Sequence, residues 1–330
     1  VKVLFQVRPD LLNVYAGDTI QILRTKEQVE RLGIEVNLST DLGVELDKYD
    51  LIHLFNTTRI SETYQQMLNA KKQDKPVVLS TIYWDMEEYL RNERPDKLKW
   101  WQRTNEYRQE VMNLADILLP NSESEKRLIE KNFGIKDKFM VVPNGVSRYL
   151  PNKADDSFKV KYGLEDFILA VGRFDKRKNQ LNVIKALKET YIPLVMIGSC
   201  NDPQYLRKCK AEANKETIFI DHLPQRKLAS AYQAAKVHVL ASWYDTPGLV
   251  SLEAGILGCN IVSTNRGSAK DYFKDLAWYC DPSDINSIYE AVLHAYYAEL
   301  NSELEEYILT NFTWKITGEK TVEAYHRLLD

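Results

Sequence analysis

Short apolar, β-branched runs recur along the first part of the chain, at 2–7 (KVLFQV), 34–38 (IEVNL), 50–55 (DLIHLF), 76–82 (PVVLSTI) and 115–120 (ADILLP). Runs of this length and composition predict strands. Amphipathic stretches lie between several of them. In 17–33, Ile20, Leu23, Val29 and Leu32 fall near helical spacing, and Gly33 supplies a stop. Strand, helix and strand in alternation predict a parallel sheet covered on both faces.

The pattern then restarts. Residues 167–172 (FILAVG), 192–198 (IPLVMIG), 217–221 (TIFID), 237–242 (VHVLAS) and 260–264 (NIVST) form a second strand set, with helical segments predicted near 179–190, 203–214, 224–235 and 248–257. Between the two sets lies VVPNGVSRYLPNKADDS, a turn and linker by its Pro, Gly and Asn content. The expected fold is α/β, with two Rossmann-like domains joined near 143–157. Ligands of such sheets bind beyond the carboxyl ends of the strands, and the cleft between two domains is the expected site.

Composition narrows the class. The chain has 330 residues, enough for about two domains, and a formal charge of −3 with acids and bases balanced in both halves, so no nucleic-acid partner is expected. Four cysteines without a CxxC pair fit a reducing cytoplasm. No apolar run reaches the ~18 residues of a membrane span, and the first ten residues meet Arg8 and Asp10 too soon for a signal peptide. A cytoplasmic location is expected, with peripheral contact at the inner membrane face.

The densest chemistry lies in WYDTPGLVSLEAGILG, residues 243–258. Pro247 suits a first helical turn, and Gly248 admits a ligand close to the backbone. The N–H groups of Gly248, Leu249 and Val250 then form an anion site. Asp245 and Glu253 flank it. An ionised carboxylate only accepts hydrogen bonds, so acids beside an anion site suit a ligand that also carries hydroxyls, as a sugar nucleotide does. Alternatively, both acids simply favour a helix amino terminus. VGRFDKRKNQ, after the first strand of the second set, adds Arg173 and Lys178, a fork and a point charge suited to a pyrophosphate. By itself that segment also reads as a solvated basic turn.

Taken together, these segments resemble glycosyltransferase family 4, whose members have the two-domain GT-B fold. Asp245 through Glu253 match the spacing of the family's E-x7-E element, and Arg173 and Lys178 match its basic pair. YAGDT (15–19) is similar to the family's glycine loop, ADILLPNSESEKRLI (115–129) to its last strand and helix of the first domain, and VVPNGV (141–146) to its interdomain crossing. NFTWKITGEKTVEAYHRLL (311–329) is similar to the carboxyl-terminal segment that folds back on the first domain. The resemblance implies an acceptor domain of 1–145 plus about 312–330, and a donor domain of 146–311.

It further implies a retaining hexosyltransferase that uses a nucleotide-diphosphate sugar and acts on a glycan or lipid-linked glycan in cell-surface polysaccharide or glycoconjugate assembly. Glu253 would hold the ribose hydroxyls, and Asp245, a methylene shorter than the usual glutamate, would approach the donor sugar. Thr246, Pro247, Gly248, Leu249 and Val250 would border the phosphates and sugar, with Arg173 and Lys178 neutralising the pyrophosphate. Gly198 would lie under the nucleotide, and His222, Leu223 and Leu228 would cup the base. Gly17 would face the donor from the first domain, with Asp18, Trp84 and Asp85 on the acceptor side. Asp18 also reads as an N-cap, and Asp85 as the cap of the following helix. Two cations and helix-end dipoles can stabilise a leaving diphosphate without a divalent ion, and no D-x-D occurs, so neither metal nor cofactor is expected.

Where many relatives carry a histidine after the fourth strand, this chain has Tyr83 or Trp84; His53, the only histidine of the first half, reads as a packing residue. Residues 89–108 interleave Lys97, Lys99 and Arg103 with Trp100 and Trp101, either a docking surface for a lipid-linked glycan or an ordinary helix with tryptophans in the core. Two other functions fit the same architecture: a sugar-nucleotide epimerase, and a catalytically silent sugar-binding subunit. A nicotinamide dehydrogenase is disfavoured because no G-x-G-x-x-G follows the first strand.

Overall fold

A computed structural model describes residues 1–11, 13, 16–147 and 157–330. Tyr15 of the glycine loop and most of the anticipated linker, residues 148–156, lie outside the described residues. The chain forms two compact units, Val1–Gly145 with Phe312–Asp330, and Val146–Asn311.

In the first unit, β1 (Lys2–Gln6), β2 (Glu35–Ser39), β3 (Leu51–Phe55), β4 (Val77–Ser80) and β5 (Ile117–Leu119) make a parallel sheet in the order β2-β1-β3-β4-β5. Alternation along β1 splits its side chains between two cores. Leu4 joins Ile52, Leu79 and Trp101 on one face, whereas Val3 and Phe5 join Ile22, Val29 and Tyr325 on the other. The second face is covered by the helices Gly17–Arg31 and Trp314–Leu329, the latter being the carboxyl-terminal segment.

His53 on β3 is fully buried. Its Nδ1 lies 2.6 Å from the Tyr325 hydroxyl and its Nε2 2.9 Å from Ser80 Oγ. Burial pulls its pKa down to about 3, so it is neutral. It fastens the last helix to the sheet, as its packing role requires. The apolar spacing expected for the first helix holds only in part. Leu32 is exposed just past the helix end, while the polar Gln21 and Thr25 are buried. Gln21 is accommodated because its Nε2 donates to Asn121 Oδ1 at 2.9 Å.

The second unit has β6 (Ile168–Val171), β7 (Leu194–Ile197), β8 (Thr217–Ile220), β9 (Val237–Leu240), β10 (Asn260–Thr264) and β11 (Trp278–Cys280), all parallel, in the order β11-β10-β9-β6-β7-β8. β11, which lies in the apolar run 276–280, was not anticipated. In each sheet the first strand is internal, and successive strands run out from it in both directions. The order reverses at β1/β3 and at β6/β9, and ligands of open α/β sheets bind outside the carboxyl ends at such a switch point.

Candidate active site

At the second switch point the chain leaves β6 through Gly172 and Arg173 and enters a short 3-10 turn, Lys176–Lys178. Asp175 Oδ1 caps that turn by accepting from Arg177 N at 2.9 Å. Asn179 follows in the left-handed region (φ 59°), and its buried Nδ2 donates to Ala241 O (2.9 Å) and Pro282 O (2.8 Å). One amide thereby ties the turn to the ends of β9 and β11 and fixes where Lys178 points. Gln180 Nε2 holds the Arg173 carbonyl at 2.9 Å. Gly198, past β7, lies so close that an added Cβ would sit 2.0 Å from the Gly172 carbonyl oxygen. A side chain there would displace the basic turn.

The loop after β9 meets this turn. Trp243 N donates to Arg177 O at 2.9 Å. Lys178 Nζ donates to Asp245 Oδ2 at 2.6 Å, and Ser242 Oγ donates to the same oxygen at 2.9 Å. Arg177 Nη1 lies 3.5 Å from that oxygen and also donates to Tyr244 O at 3.0 Å, with the guanidinium over the Tyr244 ring. The Lys178 and Asp245 side chains are only 15% and 13% exposed. Burial lowers the Lys178 pKa, opposed by the Asp245 charge. Burial works to raise that of Asp245, but Lys178 and Arg177 outweigh it and hold the carboxyl below the usual carboxylate range. At 2.6 Å, with Ser242 and Arg177 adding to it on the carboxylate, the pairing favours the ionised form of each partner.

Next comes the predicted helix mouth. Pro247 and Gly248 are buried and the helix runs Leu249–Ile256. Gly248 has φ 83°, and a Cβ there would lie 2.3 Å from Leu240 Cδ2, so both backbone and packing demand glycine. The first bonds of the turn run from Ser251 N (2.8 Å) and Leu252 N (3.3 Å) to Gly248 O. The N–H groups of Gly248, Leu249 and Val250 therefore lie ahead of the hydrogen-bond ladder, as an anion site requires. Asp245 stands before the helix and Glu253 in its second turn. The first turn itself holds no acid, so the simple helix-dipole explanation of the two acids does not apply.

Glu253 is held from below. The buried Tyr232 hydroxyl, on the helix Gln225–Ala234, lies 3.4 Å from Glu253 Oε2, and burial keeps that phenol protonated far above its ordinary range. The Tyr232 ring meets buried His238 of β9 edge-on, and His238 Nδ1 lies 3.4 Å from Ser251 Oγ. Burial, with the Lys178 charge adding to it, pulls the His238 pKa down to about 3. Arg173 acts on Lys178 in turn. Arg173, Lys178 and Asp245 thus form one electrostatic cluster, linked towards Glu253 through His238 and Tyr232. Thr246 is half-buried on the loop between Asp245 and the helix mouth. Residues 220–228 form a separate lip at the end of β8: His222 is exposed with its N–H on Asp221 Oδ1, and Leu223 and Leu228 are half-buried.

Arg177, Ser242, Tyr232 and His238 had not been singled out from sequence. Basic neighbours within one turn cannot be ranked by spacing, and the other three declare themselves only once β9 is packed.

At the first unit's switch point, Arg8 Nε donates to Asp18 Oδ2 (2.9 Å) and Arg8 Nη1 to Asp10 Oδ1 (2.7 Å). Arg59 donates to Asp10 (2.8 Å) and Glu62 (2.6 Å), and Asn56 Nδ2 to Asp18 Oδ2 (3.2 Å). A small cavity is lined by Arg8, Asp18, Asn56, Arg59 and Glu62. Asp18 is not the N-cap; Ala16 holds that position, and Asp18 sits in the first turn, committed to Arg8. Gly17 is exposed beside it.

After β4, Ile82 takes φ 44°, a costly conformation for a β-branched residue. The fully buried Glu125 spans this bend, accepting from Thr81 Oγ1, Tyr83 N (2.7 Å) and Asn121 N (2.8 Å). Trp84 is buried, and exposed Asp85 accepts from Glu87 N at 3.0 Å, one residue ahead of Met86, which holds the N-cap of the helix Glu87–Glu93. Trp101 is core, under the Arg108 guanidinium at 3.4 Å, whereas Trp100 is 44% exposed. Among the described residues no helix is long and apolar enough to cross a membrane.

Comparison with known proteins bears on the family and the fold. The family model described as glycosyl transferases group 1 matches residues 152–308, and that described as Glycosyltransferase Family 4 matches 27–148. An O-antigen chain mannosyltransferase B of Escherichia coli is 25% identical over 66% of this chain and 62% of its own length. A D-inositol 3-phosphate glycosyltransferase of Corynebacterium jeikeium is 26% identical over 67% and 59%. These matches span less than two thirds of either relative. Among solved structures, sucrose-phosphate synthase from Thermosynechococcus elongatus superposes with a TM-score of 0.80 at 17% identity, over 99% of this chain and 98% of that one. The shared fold is GT-B, and the two family models, one over each part of the chain, between them match most of the sequence and identify the chain as a glycosyltransferase.

Proposed function

We propose that this protein is a retaining glycosyltransferase that moves a hexosyl group from a nucleotide-diphosphate sugar to a hydroxyl of a glycan or lipid-linked glycan. One observation carries the reading: a basic turn, a helix mouth and a second-turn glutamate meet at the switch point of one sheet. Arg173 and Lys178, joined by Arg177, receive the pyrophosphate with the N–H groups of Gly248, Leu249 and Val250. Glu253, oriented by Tyr232, accepts the ribose hydroxyls. As the bond between the anomeric carbon and the diphosphate breaks, negative charge grows on the leaving oxygen. These cations and N–H groups are already aimed at it, so the stabilisation costs no reorganisation. They supply what a divalent ion would otherwise supply, and the reaction is metal-independent in this account. The acceptor hydroxyl attacks from the face that the diphosphate leaves, which retains the anomeric configuration.

The first unit takes the acceptor, with Asp18, Trp84 and Asp85 on that side and Gly17 facing the donor. The names of the relatives, an O-antigen chain mannosyltransferase and a D-inositol 3-phosphate glycosyltransferase, support glycan or glycoconjugate assembly as the setting. The test is incubation with a panel of UDP-, GDP- and dTDP-sugars, with and without glycan acceptors, following diphosphate release. Acceptor-dependent release is expected. Interconversion of the sugar would mark an epimerase, and binding without turnover a silent subunit.

A further inference from the structure

Asp245 is the residue of the site whose surroundings fit its assigned role least. Among the described residues, the groups that reach its carboxylate converge on one oxygen, Oδ2: the Lys178 and Ser242 donors at 2.6 and 2.9 Å and the Arg177 guanidinium at 3.5 Å. Its main chain is pinned as well, since the Asp245 carbonyl accepts from Ser268 N at 3.1 Å. A side chain one methylene shorter than glutamate, drawn inward to a lysine and fixed at its backbone, is poorly placed to reach out to a sugar.

Its charge has a clearer use. In the turn and loop, Arg173, Lys176, Arg177 and Lys178 stand against Asp175 and Asp245, leaving a net of two positive charges. A sugar-linked diphosphate carries two negative charges. The nucleotide diphosphate left after transfer carries close to three at neutral pH, because a terminal phosphate loses its second proton near pH 6. A fixed negative charge beside the phosphates therefore opposes the product more strongly than the donor, in proportion to their charges.

We propose that Asp245 is a positioning counter-ion for Lys178 whose charge opposes the product diphosphate more than the doubly charged donor and so weakens the hold of the basic turn on the product. This rests on the donor site proposed above. Asp245 fixes the Lys178 ammonium at the carboxyl end of β9 while cancelling one of the positive charges that would otherwise retain the leaving group. The sugar hydroxyls are left to other groups.

The experiment is calorimetric titration of wild type and Asp245→Asn with a nucleotide sugar and with the corresponding nucleotide diphosphate, UDP-glucose with UDP and GDP-mannose with GDP. Removing one negative charge beside the phosphates should tighten the diphosphate about tenfold and the sugar nucleotide by a smaller factor, roughly fivefold, in proportion to their charges. Product inhibition should rise in parallel. Weaker binding of the sugar nucleotide would overturn the proposal, because it would mean that Asp245 holds the sugar. Unchanged affinity for both would overturn it too. Asp245→Ser, also neutral and smaller, gives the same two readings if the asparagine variant does not fold. A wild-type protein that binds none of these ligands would refute the donor site itself, a result distinct from the others.

Discussion

Glu125 is buried with three hydrogen-bond donors and, among the described residues, no cationic partner. Replacing it with glutamine is expected to change how stability depends on pH. Burial pushes its pKa up from 4.5 to about 7, although the bonds from Thr81, Tyr83 and Asn121 pull the other way. A carboxyl whose folded pKa is raised contributes stability that is full below the unfolded value and is lost as pH climbs through the folded value. At about 1.36 kcal/mol per pH unit, the gap corresponds to roughly 3 kcal/mol, of which about 2 to 3 kcal/mol falls between pH 5 and 8. Glutamine cannot ionise. It also sets an NH2 against a backbone N–H of Tyr83 or Asn121, so at pH 5 the variant should be less stable by about 1–3 kcal/mol. The difference should then shrink by about 2 to 3 kcal/mol, and can reverse sign, by pH 8. Urea denaturation followed by tryptophan fluorescence across that range measures it. Parallel curves for the two proteins would show that Glu125 ionises at an ordinary pH, and the burial argument would be wrong.

Two further outcomes concern the donor site. Glu253→Ala should abolish binding of nucleotide sugars in calorimetry while leaving the circular dichroism spectrum intact, since Glu253 is only part-buried and its partner Tyr232 keeps its own packing; unchanged affinity would remove the ribose assignment. Gly198→Ala should both weaken diphosphate binding and destabilise the protein by about 1–3 kcal/mol or more, because the new methyl group meets backbone, not a movable side chain. A variant with native affinity would mean that the Gly172–Arg173 backbone is free to shift.

Ten of the eleven strands among the described residues coincide with apolar runs singled out in the sequence, because a parallel sheet covered on both faces imposes local hydrophobicity. β11, in the apolar run 276–280, was not singled out. Pro247, Gly248 and the spacing from Asp245 to Glu253 were legible for a similar reason: a strand, a loop and a helix mouth are contiguous in the chain. What could not be read were pairings across long separations. Arg59 meets Asp10 from 49 residues away, Thr81 meets Glu125 from 44, and Lys178 meets Asp245 from 67. Nothing in the local pattern around Lys178 announces that its nearest neighbour is an acid. The resemblance implied a contact of Asp245 with the sugar, and only the fold shows which cation it meets. Leu32 and Gln21 misled for the converse reason, since a buried amide that finds a partner such as Asn121 can take a position that the apolar period reserves for leucine.

The central claim is that the second unit grips a nucleotide diphosphate at the β6/β9 switch point. A crystal structure of the protein soaked with UDP or GDP tests it most directly. The account predicts phosphate oxygens within hydrogen-bond distance of Lys178 Nζ and the Leu249 and Val250 N–H groups, with the ribose hydroxyls on the Glu253 carboxylate. A nucleotide bound elsewhere, with Lys178 and Glu253 both out of its reach, would contradict it.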